Sequence, residues 1–494
     1  MPRSDHGPAD APNALDVGRP SANPDHFTLD GRRTWLHLGA IAISLALLGL
    51  SRLIFNVVGQ HLFGLVLVGK ANILLSLAML VGLPASTGLA TAISRFVPIF
   101  DDPAAIARAL RASVLLALVT SVAVLVPAAA VSRSWRDAGS WQTDFSIAAA
   151  WAILYAVYSV GRAFFFAKTR IGLILILEIA GFAAFSGGIL CTVRWPGLWW
   201  LPFAVYPLPM CMSIVLIVFR QPVIGSLFTT REFFRFAMLA LLGSVAGQGV
   251  QYGSTLVGGA TGGASLAGTW ATLVSLASPV LLLPRSLSTS FLPRLSGLSV
   301  RSTHEFESAS ELHHSLSALL ALPATMLLLI AGFVGPASIF PSQPGVDTHI
   351  PWLLLCCLTY VASRSEPILT GNASAGFAGP NAIAAAVAAV ICMLSWALLP
   401  GKTGALVSIA TGMLIYAILV PLLALSIVRW ISPKFRPRIR TQPGDFAMFA
   451  ILTMLLLWPT TQWVEWVSVG IGAVGLAAQY RSYRVRRFVG GLAQ

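Results

Sequence analysis

Seven ionisable side chains lie inside long apolar stretches of the sequence, where an unpaired charge is costly. They are Arg52, Lys70, Arg162, Glu178, Arg285, Arg364 and Glu366. A charge at the centre of a bilayer costs on the order of 3 kcal/mol, so these groups must face water, pair with one another or extend to an interface. Cations that share a hydrated space would bind phosphate, because a guanidinium offers it two parallel hydrogen bonds.

The stretch 281–295, LLLPRSLSTSFLPRL, combines a helix breaker with a permanent cation. Pro284 removes a backbone hydrogen bond, which is tolerated where the backbone lines protein or water, and Arg285 follows it directly. The alternative is an ordinary proline kink with Arg285 extending to the interface. The complete set of cations favours a hydrated, anion-binding site. The residues predicted to line it are Arg52, Lys70, Arg285 and Arg364.

The intramembrane carboxylates have two open roles. Glu178, the most central of them, and Glu366 are predicted either to neutralise a cation or to carry a coupling proton. Arg364 and Glu366 are two residues apart, so they point to different helix faces and are not expected to pair with each other. Extension to the interface is an alternative for three cations near predicted span ends. These are Arg52, Lys70 and Arg162.

Membrane-spanning helices are the elements that must position these charges. Of 494 residues, 56% are hydrophobic and 10% are charged, and the mean hydropathy is +0.80. Runs of about 20 apolar residues, the length that crosses a bilayer, recur along the chain. The sequence predicts an all-α polytopic membrane protein with about 14 transmembrane helices.

The composition argues against several other classes of protein. The net charge of +14 is spread over short loops and not over one face of a soluble domain, so nucleic acid is not an expected partner. The five cysteines lie in apolar runs and no Cys/His spacing resembles a metal site. We therefore predict no metal and no cofactor. No predicted loop is long enough to hold a catalytic domain, which favours a protein that is not an enzyme.

The positive charges predict the orientation and the repeats predict the domains. With both termini in the cytoplasm, 23 of the 32 Lys and Arg residues face the cytoplasm and 4 face outside, as the positive-inside rule requires. LPAS at 83–86 and LPRS at 283–286 hold the same place in two sets of six spans, which indicates a duplication. The predicted units are a disordered cytoplasmic tail (1–33), an N-terminal six-helix lobe (34–220), a C-terminal six-helix lobe (221–429), a basic cytoplasmic linker (430–444) and a C-terminal helix pair with a basic tail (445–494).

Some polar groups look like sites but have simpler interpretations. Asp137 and Asp144 lie in a predicted external loop and have no visible partner. His313 and His314 lie at the start of a predicted helix and are interpreted as interfacial. GKTG at 401–404 lacks the upstream glycine of a nucleotide-binding loop and is interpreted as a short external turn.

Three stretches carry a family likeness. They are SRLIFNVVGQHLFG at 51–64, VGLPASTGLATAISRFVPIF at 81–100 and, within 368–420, ILTGNASAGFAGPNAIAAAV and GKTGALVSIATGMLIYAILV. They resemble the polysaccharide transporter family, the flippases for O-antigen and exopolysaccharide repeat units. That family shares a superfamily with the lipid II flippase and the multidrug/toxin extrusion transporters. The likeness extends over about residues 35–430.

The resemblance implies two six-helix halves around a central cavity lined by basic residues. The cavity would receive an undecaprenyl-diphosphate-linked oligosaccharide and move it across the bacterial inner membrane by alternating access. Arg52 matches the Ser-Arg element of the first span, while Lys70 and Arg285 lie in spans that carry cations in relatives. Arg364 and Glu366 match no motif and are included on physical grounds. Expected partners are membrane lipids, a polysaccharide polymerase and a chain-length regulator, with the chain itself a monomer.

Three alternatives stay open at this stage. The first is a lipid II flippase, because the final helix pair resembles that of the lipid II flippase, whose last two helices form a groove for the lipid tail. A multidrug or cation antiporter would favour an acidic cavity, against which the excess of intramembrane cations argues. A membrane glycan polymerase or ligase would need a large external catalytic loop, which the predicted spans lack.

Overall fold

The computed structural model is built from helices in the order predicted for the first twelve spans. The structure describes residues 31–97, 107–119, 122, 141–168, 170–220, 231–334, 348–398, 404–432, 445–447, 450–451, 471, 474–475, 477–478 and 480. The helices are α1 (Gly31–Leu62), α2 (Leu65–Val81), a π-helical turn (Pro84–Leu89), α3 (Ala90–Phe96), α4 (107–119), α5 (Trp141–Ala167), α6 (Ile171–Arg194), a 3-10 turn (Pro196–Leu198), α7 (Leu201–Val205), α8 (Leu208–Arg220), α9 (Arg231–Arg301), α10 (Thr303–Val334), α11 (His349–Ser374), α12 (Ala378–Leu398) and α13 (Ala405–Ile431). Every regular element in these ranges is helical, which confirms the predicted fold class.

The helices are of membrane-spanning length. Seven of the described helices are long and apolar enough to cross a membrane, or eight if the bent pair α2–α3 counts as one span. That pair bends by 63° at the π-helical turn beginning at Pro84, since proline cannot donate to the helical ladder. α9 is two arms, 231–262 and 264–301, because the backbone leaves the helical region at Gly263. The chain is a multi-pass membrane protein.

The boundaries of the predicted terminal units differ from the structure where it describes them. α1 begins at Gly31, so residues 31–33 are helical and do not belong to the tail, while 1–30 lie outside the described residues. Most of the linker and of the C-terminal pair lies outside them as well. The described part of that pair includes Ile451, which is buried against the helices of the second half.

Two large apolar cores and one small cluster fill the described part of the molecule. The first core is formed by α1 to α8 with Phe233 and Ala237 at the start of α9, and the second by residues 246–277 of α9 with α10 to α13. The small cluster joins residues 287–295 of α9 to residues 306–309 of α10. α1, α2, the π-helical turn and α3 pack against α9. We call this contact the seam. The separation of the cores is what the predicted division into two lobes requires, and that division stays a prediction.

Matching glycines mark both sides of the seam. Gly64 reverses the chain between α1 and α2 (φ 82°, ψ 158°), and Gly263 reverses it between the arms of α9 (φ 76°, ψ −174°). Glycine is required at both positions, because other residues essentially never adopt this part of backbone space. The register that superimposes them defines a first copy (α1–α2) and a second copy (α9). It also superimposes Gly59 on Gly258 and Gly69 on Gly268.

The two copies cross at a reciprocal glycine contact. A β-carbon on Gly69 would lie 1.6 Å from the carbonyl oxygen of Ala264, and one on Gly268 would lie 2.5 Å from that of Leu65. In the repeat register Ala264 is the counterpart of Leu65. Gly69 packs against Ala264 and Gly268 packs against Leu65, so the two contacts are equivalent in the two copies. Such reciprocity is expected of two repeats related by a pseudo-two-fold axis.

A polar bridge crosses the seam from the first copy only. The Nδ2 of Asn56 donates to the carbonyl oxygen of Ala271 at 3.2 Å and to the Oγ of Ser275 at 2.7 Å. The Nδ2 of Asn72 donates to the Oδ1 of Asn56 at 2.7 Å. Both asparagines are buried. Thr255 and Ala271 are their counterparts in the second copy, so no mirror-image amide bridge forms.

Candidate functional site

Arg52 lies at the seam, well inside α1. Its Cζ is 5.7 Å from the ring centroid of Tyr252 on the first arm of α9, and it interacts electrostatically with Tyr155 on α5. The Nε is buried and has no hydrogen-bond partner among the described residues. Arg52 also has a side-chain hydrogen bond with Tyr252, so Nε is the donor of this guanidinium that the described residues leave unused.

Glu178 is enclosed by donors inside the first core. Its Oε1 accepts from the Tyr158 hydroxyl and its Oε2 from the Tyr206 hydroxyl, each at 2.6 Å. The Nε of Arg162 is 3.2 Å from Oε1, and the Glu178 side chain is 0% exposed. Arg162 also donates from Nη2 to the Oγ of Ser44 at 3.1 Å. Glu178 thus balances the charge of a cation from the neighbouring helix α5.

Lys70 pairs with a carboxylate in the first turn of α5. Its Nζ is 2.8 Å from the Oδ1 of Asp144, with side chains 34% and 20% exposed, and it lies 5.7 Å from the ring centroid of Trp199. A carboxylate is also favoured in the first turn by the helix dipole. The expectation that Asp144 has no partner is therefore wrong, because the fold brings together residues that are distant in the chain.

Arg364 on α11 binds the segment that follows α13. Its Nε is 2.8 Å from the Oδ1 of Asp445 and its Nη2 is 3.0 Å from Oδ2. Tyr360 donates its hydroxyl to the same carboxylate, and the Nη1 of Arg364 donates to the carbonyl oxygen of His314 at 3.2 Å. This bidentate pair is the geometry that arginine and carboxylate prefer. It attaches residue 445 to the second core.

Arg285 and Glu366 interact with each other. Arg285 is exposed, and its charge acts on the carboxyl group of Glu366, which is half-buried on α11. The second arm of α9 is helical on both sides of Pro284, so this proline does not end the helix. Arg285 is therefore an exposed cation on a continuous helix.

His313 and His314 are buried, so the prediction that they are interfacial is wrong. His313 stacks on Phe291 with ring centroids 4.6 Å apart and an angle of 6°, and its Nε2 lies 3.2 Å from the Oγ of Ser288. The reason is that α10 packs between α9 and α11 along this part of its length.

The structure thus gives the predicted cations different partners. Lys70 and Arg364 each form an ion pair, and Arg285 interacts with Glu366. Arg52 is the exception, since no carboxylate among the described residues pairs with it. The tyrosines around Arg52 and Glu178 were not predicted. One signal for them exists, because Tyr155, Tyr158 and Arg162 follow the spacing of a single helix face.

Comparison with known proteins shows similarity in structure only. No family model and no curated protein matches the chain. The MATE multidrug transporter DinF-BH matches with a TM-score of 0.59 and 12% identity over 80% of this chain and 94% of that one. The lipid II flippase MurJ, in an inward closed conformation, matches with a TM-score of 0.62 and 13% identity over 92% of this chain and 99% of that one. A mutant MATE protein matches with a TM-score of 0.51 and 13% identity over 80% and 95%.

At such low identities the likeness concerns the fold. The wider superfamily suggested by the sequence includes both kinds of neighbour, whereas these three structures include no polysaccharide flippase. The chain has the polytopic helical fold shared by the MATE transporters and the lipid II flippase.

Proposed function

We propose that the chain is a flippase that moves a polyprenyl-diphosphate-linked oligosaccharide across the bacterial inner membrane, for exopolysaccharide or O-antigen synthesis. Arg52 is the observation that carries the proposal. It places a permanent cation at the seam, with a buried donor and without a carboxylate among the described residues. Charges in membrane proteins mark substrate pathways when they are not internally paired, and a cation there favours an anionic substrate.

Transport of cationic drugs is less well supported by the same charges. Glu178, Asp144 and Asp445 each lie within ion-pair distance of a basic residue. Glu366 interacts electrostatically with Arg285. A cationic substrate at any of these four carboxylates would have to displace its basic partner. An anionic substrate at Arg52 displaces none.

Transport of lipid II is a second candidate, favoured by the length of the similarity. The lipid II flippase aligns with 92% of this chain, whereas the MATE transporters align with 80%. Beyond α13, Asp445 and Ile451 contact the second core. Lipid II and a polysaccharide precursor share the polyprenyl diphosphate and differ in the sugars. Both substrates therefore use Arg52 in the same way.

The position of the glycine crossing supports transport by alternating access. In the predicted orientation Gly64 and Gly263 lie on the external side, so the contact between Gly69 and Gly268 closes the seam there. Opening to the outside would separate this contact. The membrane potential favours export, because an anion that leaves a negative interior gains about 2.3 kcal/mol per charge per 100 mV.

The test is translocation of a fluorescent undecaprenyl-diphosphate oligosaccharide by the purified chain in proteoliposomes. Arg52→Gln introduces the residue found at its counterpart, Gln251, and we expect at least a tenfold lower rate because the charge is lost while the size is similar. Arg170→Gln, at an exposed position before α6, is the matched control and should retain the wild-type rate. Transport of a lipophilic cationic dye but not of the diphosphate lipid would overturn the proposal.

A further inference from the structure

The hydroxyl of Tyr155 is a second buried donor at Arg52 without an acceptor. Tyr155 is 3% exposed, and its hydroxyl has no hydrogen-bond partner among the described residues. It interacts electrostatically with both Arg52 and Tyr252. An unsatisfied buried hydroxyl is destabilising, so such a group indicates a partner that the protein itself does not supply.

The Glu178 network does not supply that partner. The ring of Tyr158 lies 5.9 Å from that of Tyr155, but it is Tyr158 that donates to Glu178. Tyr206 takes the other carboxylate oxygen, and Arg162 takes a third contact. Tyr155 therefore adjoins the Glu178 network through the ring of Tyr158 and interacts electrostatically with Arg52, but its hydroxyl hydrogen-bonds to neither.

Side chains from three elements, two of them with an unused donor, meet at this point of the seam. α1 contributes the guanidinium of Arg52, α5 contributes the Tyr155 hydroxyl, and α9 contributes the ring of Tyr252 that supports the guanidinium. Two donors and a permanent positive charge suit oxygen atoms that carry negative charge. They do not suit a cation, which requires acceptors.

We propose that Arg52 and Tyr155 bind one phosphate group together, the guanidinium through charge and N–H donors and the hydroxyl through a single hydrogen bond. This assignment rests on the proposed function and names the residues that hold the headgroup of its substrate. The same chemistry would bind a phosphate ester of a lipid or free pyrophosphate. A binding experiment distinguishes the two sources.

The experiment measures the affinity of the purified full-length chain in detergent for farnesyl diphosphate, inorganic pyrophosphate and farnesol. We expect Tyr155→Phe to weaken the binding of farnesyl diphosphate about tenfold, the effect of one hydrogen bond to a charged oxygen, and Arg52→Gln to weaken it more. Farnesol binding should not change. Equal losses with pyrophosphate would show that the phosphate alone is recognised, and losses confined to farnesyl diphosphate would assign the site to a lipid headgroup.

Tyr480→Phe is the control, because Tyr480 is 57% exposed and should bind all probes like the wild type. A second measurement keeps the tyrosine and so does not depend on a variant that could fold poorly. With 3-fluorotyrosine at position 155, the ¹⁹F resonance should shift on addition of farnesyl diphosphate and should not shift with farnesol. Wild-type affinity of Tyr155→Phe together with an unmoved resonance would overturn this assignment. If Arg52→Gln still abolished translocation in that case, the flippase proposal would stand. A wild-type chain that binds neither phosphate probe would overturn both.

Discussion

The first copy, α1–α2, and the second copy, α9, share a backbone plan but not their polar side chains. Both reverse at a glycine with positive φ and both place a glycine at the crossing. In the same register, however, Arg52 corresponds to Gln251 and Lys70 to Thr269. The crossing tolerates only glycine for steric reasons, whereas the polar positions are free to diverge. The difference indicates that the shared plan serves assembly, and it agrees with the proposed role of Arg52 in binding the ligand.

Alanine at the crossing should have the largest effect. Gly69→Ala would place its β-carbon 1.6 Å from a backbone oxygen, and Gly268→Ala 2.5 Å from another. Backbone atoms cannot yield without moving a helix, so we expect each variant to lose about 3 kcal/mol or more of unfolding free energy, with Gly69→Ala the worse. Thermal unfolding in detergent measures this. Gly187→Ala has no neighbouring atom within 4 Å and should melt at or above the wild-type temperature.

Alanine at the two reversals should have smaller and equal effects. No heavy atom lies within 4 Å of a β-carbon at Gly64 or Gly263, so the cost is conformational and amounts to about 1–3 kcal/mol in each case. Chemical unfolding of the two single variants measures both costs. Clearly unequal values would contradict the view that these glycines are equivalent in two copies of one plan.

Asn56→Thr makes the first copy resemble the second at the polar bridge. It removes the hydrogen bonds to Ala271 and Ser275 and leaves the amide of Asn72 with one acceptor fewer. We expect a loss of about 1–3 kcal/mol in unfolding free energy. The double variant Asn56→Thr/Asn72→Ala should lose less than the sum of its single variants, because it also removes the Asn72 N–H that Asn56→Thr leaves without an acceptor. Additive losses of unfolding free energy would show that Asn56 and Asn72 contribute to stability independently of each other.

Lys70→Thr should have the smallest effect. Its ion pair with Asp144 is partly exposed, and such pairs contribute at most about 1 kcal/mol and are screened by salt. We expect a small decrease in the melting temperature at low salt that disappears at high salt. Asp144→Asn in the Lys70→Thr background should then change nothing further. A large loss of translocation in Lys70→Thr, with stability unchanged, would instead assign Lys70 to the ligand site.

The helices and their order could be predicted from the sequence because a membrane allows few alternatives. A long apolar run must satisfy its own backbone and therefore forms a helix. The echo of LPAS in LPRS indicated the duplication, but the glycine register that shapes the seam was not found. Isolated glycines among unlike residues form no motif, and only the geometry of Gly64 and Gly263 reveals that they correspond.

The candidate site was predicted less completely than the fold. The cost of burying charge singled out Arg52, Glu178 and Arg364 one residue at a time, but it does not specify partners. Those partners depend on how helices pack, so Asp445 beside Arg364 and Tyr158 beside Glu178 became visible only in the structure. The same holds for Tyr155, an ordinary aromatic residue in the sequence and an unsatisfied donor in the fold.

The Asn56 bridge has a consequence for how the protein is made. Its amide enters the membrane with the first helix, while its acceptors at Ala271 and Ser275 belong to a helix synthesised about 200 residues later. At about 5–20 residues per second the interval is about 10–40 s. During that time Asn72 is the only hydrogen-bonding partner of Asn56 in the bridge that has been synthesised. Closure of the seam is therefore a late step of biogenesis, because it requires the helix that carries Ala271 and Ser275 to have been synthesised. Until then the first helices can contact other membrane components at this surface.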